Sequence, residues 1–141
     1  MFLTAKAEYA CLAMLELAVH YGMRQPVQVR RIAERHGIPS PFLVQILQNL
    51  KRAALITSTR GASGGYQLAR APEDISLSDV LGAVDGAKES SSCAATASPL
   101  APVLDDVCRE LSSDRRARLE GISLAQLVDR APARGEPMWY I

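Results

Sequence analysis

The sequence predicts a mainly α-helical fold with one small β-hairpin. Apolar residues recur at helical spacing in several segments of the 141-residue chain. Strand-forming residues, in contrast, concentrate in two short runs on either side of a glycine-rich stretch near residue 61. Hydrophobic residues make up 48% of the chain and aromatic residues only 5%, so the core must be built from Leu, Val, Ile and Ala.

The first helix is predicted from about Thr4 to Tyr21. One side carries a stripe at spacings of three and four residues, made of Ala10, Ala13, Met14, Leu17, Ala18 and Tyr21. The opposite side is also apolar, with Cys11, Leu12, Leu15 and Val19. A helix that is apolar on two sides is expected to be buried twice, once in its own domain and once against a partner chain.

A helix-turn-helix is predicted next. After a short strand at Pro26–Val29, a helix over Arg30–His36 is stopped by Gly37, which can adopt the left-handed cap conformation. Ser40 is expected to cap a second helix with Pro41 in its first position. That helix extends to about Ala53 and is expected to bury Leu43, Ile46, Leu47, Leu50 and Ala54.

A hairpin follows this second helix. The strand-forming segments Leu55–Ser58 and Tyr66–Leu68 flank a turn that contains Gly61, Gly64 and Gly65. A hairpin directly after a recognition helix is a wing. A phosphate-binding loop is disfavoured, because no Lys-Ser/Thr pair follows the glycines and no helix begins there.

The second half of the chain is predicted to be helical. Ser76 and Asp79 resemble a capping box that opens a helix ending near Asp85. A long helix over Leu100–Leu119 and a short one beginning at Ser123 come next. We therefore expect a winged helix-turn-helix domain at 1–85, a sensor loop at 86–99, a dimerisation helix and C-terminal helix at 100–130, and a tail at 131–141.

The charge distribution favours a nucleic-acid partner. Residues 24–70 contain eight basic and one acidic side chain, whereas residues 71–141 contain seven basic and twelve acidic ones. On the second helix of the motif, Phe42, Gln45, Asn49 and Arg52 share a face suited to reading base edges. Ser40, Lys51 and Arg52 suit phosphates, Arg60 at the wing suits the minor groove, and Tyr66 completes the predicted DNA-binding set.

These segments resemble the IscR-like (Rrf-two) family of bacterial transcription regulators. The motifs that carry the resemblance are Leu3-Thr4-x-Lys6-x-x-Tyr9-Ala10, Ile32-Ala33-Glu34-Arg35-x-Gly37-Ile38, Arg60-Gly61-x-x-Gly64-Gly65-Tyr66-x-Leu68-Ala69-Arg70 and Ile75-Ser76-Leu77-x-Asp79-Val80. The resemblance implies a homodimer that binds a palindromic operator in double-stranded DNA. It also implies that Phe42 and Gln45 read bases and that Arg60 reads the minor groove. Val44 replaces an acid found in some members, which bears on base preference.

The resemblance further implies an iron–sulfur cluster, with a departure. Many members hold the cluster on three cysteines; Cys93 fits the first, but residues 94–101 supply no other, which excludes the usual arrangement. Glu8 matches an acidic ligand on the first helix. We predict one [2Fe–2S] cluster per subunit, shared across the dimer, with Glu8, Cys11, Cys93 and Cys108 as candidate ligands. Thiol-based redox sensing without metal, or no role for the cysteines, stay open, since Cys11 and Cys108 lie on apolar stripes.

The sequence thus predicts a cytoplasmic transcription regulator, a redox-responsive or iron–sulfur-responsive repressor, with no catalytic constellation. His20 and His36 lie on separate predicted helices, and no apolar run is long enough to span a membrane. The start of the chain is not arranged like a signal peptide. The alternatives are a cluster-free regulator and a winged-helix interaction module that binds a metabolic enzyme.

Overall fold

The computed structural model describes residues 3–85 and 97–132. In these residues the helices are α1 (Ala5–Val19), α2 (Val29–His36), α3 (Ser40–Arg52), α4 (Leu77–Asp85), α5 (Ala101–Glu120) and α6 (Leu124–Arg130). The strands β1 (Ile56–Thr59) and β2 (Gly65–Leu68) form an antiparallel hairpin. The predicted fold, mainly helical with a small wing, is confirmed.

Helix α1 is the centre of the core and packs against α2, α3, α4 and α6. The side-chain oxygen of Thr4 accepts a hydrogen bond from the Ala7 backbone N–H at 3.1 Å and thereby caps the helix. Ala10, Met14 and Leu17 are buried, as the first stripe predicts, but Tyr21 is exposed and lies beyond the end of α1 at Val19. On the other side Cys11 is buried, whereas Leu12, Leu15 and Val19 are half-buried. The second side therefore keeps apolar surface for a further contact.

The helix-turn-helix is formed by α2 and α3, with two corrections. Gly37 has a φ of 64° and ends α2 in the left-handed conformation, as predicted. The predicted strand at 26–29 is wrong: Val27 makes a single bridge to Tyr66, and α2 already begins at Val29. Ser40 is not the cap, because the first helical hydrogen bond of α3 runs from Leu43 N–H to the Pro39 carbonyl at 2.9 Å. Ser40 is therefore the first helical residue, and Pro41 is the second instead of the first.

The predicted buried face of α3 is confirmed except at its C-terminal end. Leu43, Ile46, Leu47 and Leu50 are buried. Ala54, which was expected to be buried, is exposed and has a φ of 63°. It lies beyond the last turn of α3, where the chain reverses into β1, so its side chain leaves the helical stripe.

The wing is held against the segment between α1 and α2. Ile56 pairs with Leu68 and Thr59 with Gly65 across the hairpin. The Val27 and Tyr66 backbones exchange hydrogen bonds of 2.9 and 2.8 Å. A side chain at Gly65 would place its Cβ 2.5 Å from the Val27 carbonyl oxygen, so this approach requires glycine.

The second half of the chain returns to the core through two short pairings. The predicted capping box is present, with Ser76 N–H donating to Asp79 at 3.0 Å and Asp79 N–H donating to the Ser76 hydroxyl at 3.1 Å. Leu77 N–H bonds to the Ile122 carbonyl and Leu124 N–H to the Ile75 carbonyl, each at 2.9 Å. These bonds bring α6 back onto α1, with Leu124 fully buried.

Two regions of the predicted organisation lie outside the described residues, namely 86–96 of the sensor loop, with Cys93, and 133–141 of the tail. The proposed domain bounds stay a prediction. Within the described parts of the chain, no helix is both long enough and apolar enough to cross a membrane.

Candidate nucleic-acid interface

The outer face of α3 is polar and open to solvent. Gln45, Gln48, Lys51 and Arg52 are exposed on it, whereas Asn49 is half-buried. The buried residues of α3 are centred between Ile46 and Leu47, so the opposite face is centred on positions 45, 48 and 52. Asn49, which the sequence pattern placed on this face, lies at its border, and Gln48, which the pattern did not single out, lies near its centre.

The wing is joined to α3 next to this face. The Lys51 ammonium donates to the Ser58 hydroxyl on β1 at 2.7 Å. Arg60 is exposed in the turn that follows β1, and Tyr66 is half-buried in β2. Lys51, which the sequence predicted as a phosphate contact, thus links the wing to α3.

Phe42 differs from its expected environment. The sequence pattern placed it on the face that reads bases, but its ring is half-buried and packs edge-on against Tyr9 of α1, with ring centroids 5.6 Å apart and planes at 82°. The ring is therefore anchored to the core at the start of α3. Only the part of the Phe42 ring that is exposed to solvent could contact a base.

Comparison with known proteins assigns this winged helix-turn-helix chain to a family. A family model described as "Rrf2: Iron-dependent Transcriptional regulator" matches residues 3–130. The chain belongs to the Rrf2 family. The predicted resemblance is confirmed, and so is the expectation of a transcription regulator rather than an enzyme.

Several relatives of this Rrf2-family chain are regulators by name. The HTH-type transcriptional regulator IscR of Aliivibrio salmonicida is 36% identical over 131 residues, which cover 91% of this chain and 77% of the relative. An HTH-type regulator of Synechocystis sp. is 45% identical over 91 residues, covering 63% of this chain and 60% of that protein.

Solved structures agree on the fold. The structure of T. potens IscR is 31% identical with a TM-score of 0.78, and the alignment covers 99% of this chain and 97% of that one. CymR of B. subtilis, titled a global cysteine regulator, has a TM-score of 0.80 over 94% of this chain and 99% of its own. At 23% identity, CymR supports the fold alone.

The candidate metal ligands of this Rrf2-family chain lie in different environments. Cys11 is buried in the core, and burial, together with the charges of Asp85 and Glu8, raises the pKa of its thiol to about 11. Glu8 is half-buried on the same helix, and Cys108 is exposed on α5. Within the residues that the structure describes, no three His, Cys, Asp or Glu side chains of one chain form a metal site.

Helix α5 leaves an apolar stripe in solvent. None of its residues is buried, although Leu119 near its end packs against the core. The exposed stripe, here called the α5 stripe, consists of Leu100, Val103, Leu104, Val107 and Leu111, with exposures from 46% at Val107 to 73% at Leu100. Its spacing follows the predicted helical pattern.

A charged cluster that the sequence did not predict joins α1 to α2. Glu16 of α1 is only 3% exposed, and its Oε1 lies 2.9 Å from His36 Nε2 and 3.2 Å from Arg35 Nε. Its Oε2 is 3.1 Å from His20 Nδ1, but that nitrogen is directed at the Glu16 backbone carbonyl 2.9 Å away. Among the residues that the structure describes, Oε2 therefore has no well-formed hydrogen bond. We call Glu16, His20, Arg35 and His36 the Glu16 cluster.

Proposed function

We propose that this chain is a homodimeric regulator that binds a palindromic DNA operator through α3 and the wing. The observation that carries the proposal is the exposed polar face of α3, which the Lys51–Ser58 hydrogen bond joins to the wing that carries Arg60. Both belong to a segment with eight basic side chains and one acidic side chain. Gln45 supplies the donor–acceptor pair that matches adenine in the major groove. Arg52 is suited to a phosphate, and Arg60 to the negative potential of a narrow minor groove.

A selected operator tests the proposal. Duplexes enriched from a random pool by the purified protein should converge on an inverted repeat with half-sites about 34 Å apart. Gln45→Ala should weaken binding to that duplex by about 1–3 kcal/mol and leave random DNA nearly unaffected. Arg52→Ala is the matched comparison, because loss of a phosphate contact weakens all duplexes alike. A pool that does not converge would favour a module that binds protein instead of DNA.

The α5 stripe supports the homodimer. Leu100, Leu104, Val107 and Leu111 are spaced by four, three and four residues, as in the seam between two helices of a coiled coil. Each such side chain gains on the order of 1.5–3 kcal/mol on full burial, which favours covering the stripe. A second copy of α5 carries the same pattern, and the half-buried side of α1 adds further apolar surface.

Light scattering tests the dimer. The wild-type protein should have twice the chain mass of 15.2 kDa. Leu104→Asp should give monomers that bind the operator weakly, whereas Ser113→Asp, an equal charge on α5 away from the stripe, should stay dimeric. A dimeric Leu104→Asp variant would mean that another surface holds the copies together.

For the signal we propose a [2Fe–2S] cluster with ligands from both copies. Cys93, Cys108 and Glu8 supply three of the four terminal ligands that two tetrahedral irons require, and a further protein group or water supplies the fourth. The description of the Rrf2 family as iron-dependent regulators supports iron as the signal. A cysteine binds a metal as the thiolate, and burial raises the pKa of the Cys11 thiol to about 11, so forming the thiolate costs more there than in a thiol exposed to water. We therefore assign Cys11 to the core rather than to the ligand set.

Anaerobic purification tests the cluster. Visible absorption with equimolar iron and sulfide is expected for the wild type and for Cys11→Ala, and its loss for Cys93→Ala and Cys108→Ala. Glu8→Ala should leave the fold intact and make the cluster labile. Colourless wild-type protein after reconstitution would reject the cluster and leave a thiol-based or cluster-free regulator.

A further inference from the structure

Gln28 makes an unusual contact for its position. It is the N-cap residue of α2, but its side chain does not cap the helix. Instead its Nε2 donates to the carbonyl oxygen of Ala62 at 3.2 Å, across 34 residues of sequence. Ala62 lies in the turn of the wing, two residues after Arg60.

Three further contacts between the wing and other described residues involve its strands. Lys51 binds Ser58 on β1, and Val27 bridges to Tyr66 on β2. Gln67 Nε2 on β2 donates to the Arg24 carbonyl at 2.8 Å. Within the turn itself, Gly64 N–H donates to the Gly61 carbonyl at 3.0 Å. Gln28 thus connects the turn to the helix-turn-helix.

This contact contributes little to the stability of the protein, but it constrains the position of the wing turn. A hydrogen bond between neutral groups contributes only on the order of 1 kcal/mol to stability, and this one is exposed to water. The bond joins the turn to the N-terminus of α2 and so favours one position of the turn relative to that helix. Since Arg60 belongs to the same turn, the contact also restricts where the guanidinium group can reach.

We propose that Gln28 is a positioning residue for DNA recognition: by holding the Ala62 carbonyl, it orients the wing turn so that Arg60 enters the minor groove while α3 occupies the major groove. This inference rests on the proposed function of the wing. Preorganisation of this kind raises affinity by reducing the loop freedom that is lost on binding.

A double-mutant cycle on the selected operator duplex tests the inference. Gln28→Ala should weaken binding about 2–5-fold when Arg60 is present and leave it unchanged in an Arg60→Ala background, because a residue that acts through Arg60 cannot add to its loss. Gln28→Glu, which sets a carboxylate against the Ala62 carbonyl, should weaken binding at least as much. Gln25→Ala, an exposed glutamine in the same connection, is the control and should bind like the wild type.

The outcomes separate the inference from the function on which it rests. If Arg60→Ala weakens binding but Gln28→Ala has no effect, or has the same effect in both backgrounds, the positioning role of Gln28 is wrong and the wing still reads DNA. If Arg60→Ala binds the operator like the wild type, the proposed role of the wing fails, and the inference fails with it. Thermal melts of each variant confirm that the fold is retained.

Discussion

Replacing Glu16 by glutamine removes a buried negative charge while keeping the size of the side chain. The carboxylate accepts contacts from His36 and Arg35 on α2 and lies beside His20 on its own helix. In the Glu16→Gln variant, an amide nitrogen would face one of these nitrogen donors. The variant therefore loses the electrostatic link between α1 and the helix-turn-helix.

The magnitude follows from the contacts. A hydrogen bond to a charged group contributes on the order of 1.5–3 kcal/mol. Arg35 is 54% exposed, so solvent screens its share and we assign it little. Oε2 lacks a good partner, which leaves the His36 contact as the main contribution. We expect Glu16→Gln to lower the free energy of unfolding by about 1.5–3 kcal/mol.

Urea unfolding at a fixed chain concentration measures this change. Glu34→Gln is the control, because Glu34 forms only an exposed ion pair with Arg30 at 3.0 Å and its loss should stay within about 0.5 kcal/mol. A cycle with His36→Ala should show that the two substitutions are not additive. A Glu16→Gln variant as stable as the wild type would refute the reasoning, since desolvation of the carboxylate would then cancel its attractions.

Three further predictions concern the core and the wing. Folding raises the pKa of the Cys11 thiol from 9.0 to about 11, so the folded protein retains a proton that the unfolded chain releases. In urea titrations, the stability of the wild type relative to Cys11→Ala should be constant below pH 9 and fall by roughly 2–3 kcal/mol towards pH 11. Parallel stability curves for the two proteins would contradict the burial of the thiol. Gly65→Ala should destabilise the protein by more than about 1 kcal/mol in thermal melts, because the new Cβ would collide with the Val27 backbone. Gly82→Ala, which adds a Cβ in open space on α4, should stabilise the protein by about 0.5–1 kcal/mol. Similar effects at both sites would be inconsistent with the close approach of Gly65 to Val27. A cycle of Tyr9→Ala and Phe42→Ala should give a coupling of about 0.5–1.5 kcal/mol by urea unfolding, and strict additivity would speak against the ring contact.

Local patterns predicted most of the fold. The stripes of α1, α3 and α5 and the capping box at Ser76 and Asp79 depend on residues within a few positions of one another. The structure contains the capping box, and it contains the stripes except where they run past the helix ends. Ser40 and Ala54 were misjudged because each lies at a helix end. There, the backbone conformation of one residue, and not a repeated pattern, decides where the helix stops.

The contacts that distinguish the site depend on tertiary structure. Glu16 and His20 are four residues apart, but His36 joins them only after α2 packs on α1. Gln28 and Ala62 are 34 residues apart, and neither their residue types nor their spacing indicates that they are in contact. The sequence therefore predicted Gln45 and Arg60 by residue type and local position. It did not predict the residues that hold the wing and the helix-turn-helix in place.

The α5 stripe has a consequence for how much protein a cell must make. If two copies pair over this stripe, as we propose, the concentration of the DNA-binding form rises with the square of the chain concentration while monomers predominate. A twofold change in synthesis then changes operator occupancy more than twofold in that range. The exposed leucines of α5 would thus set a threshold of abundance below which the regulator leaves its operator empty, whatever the state of its signal.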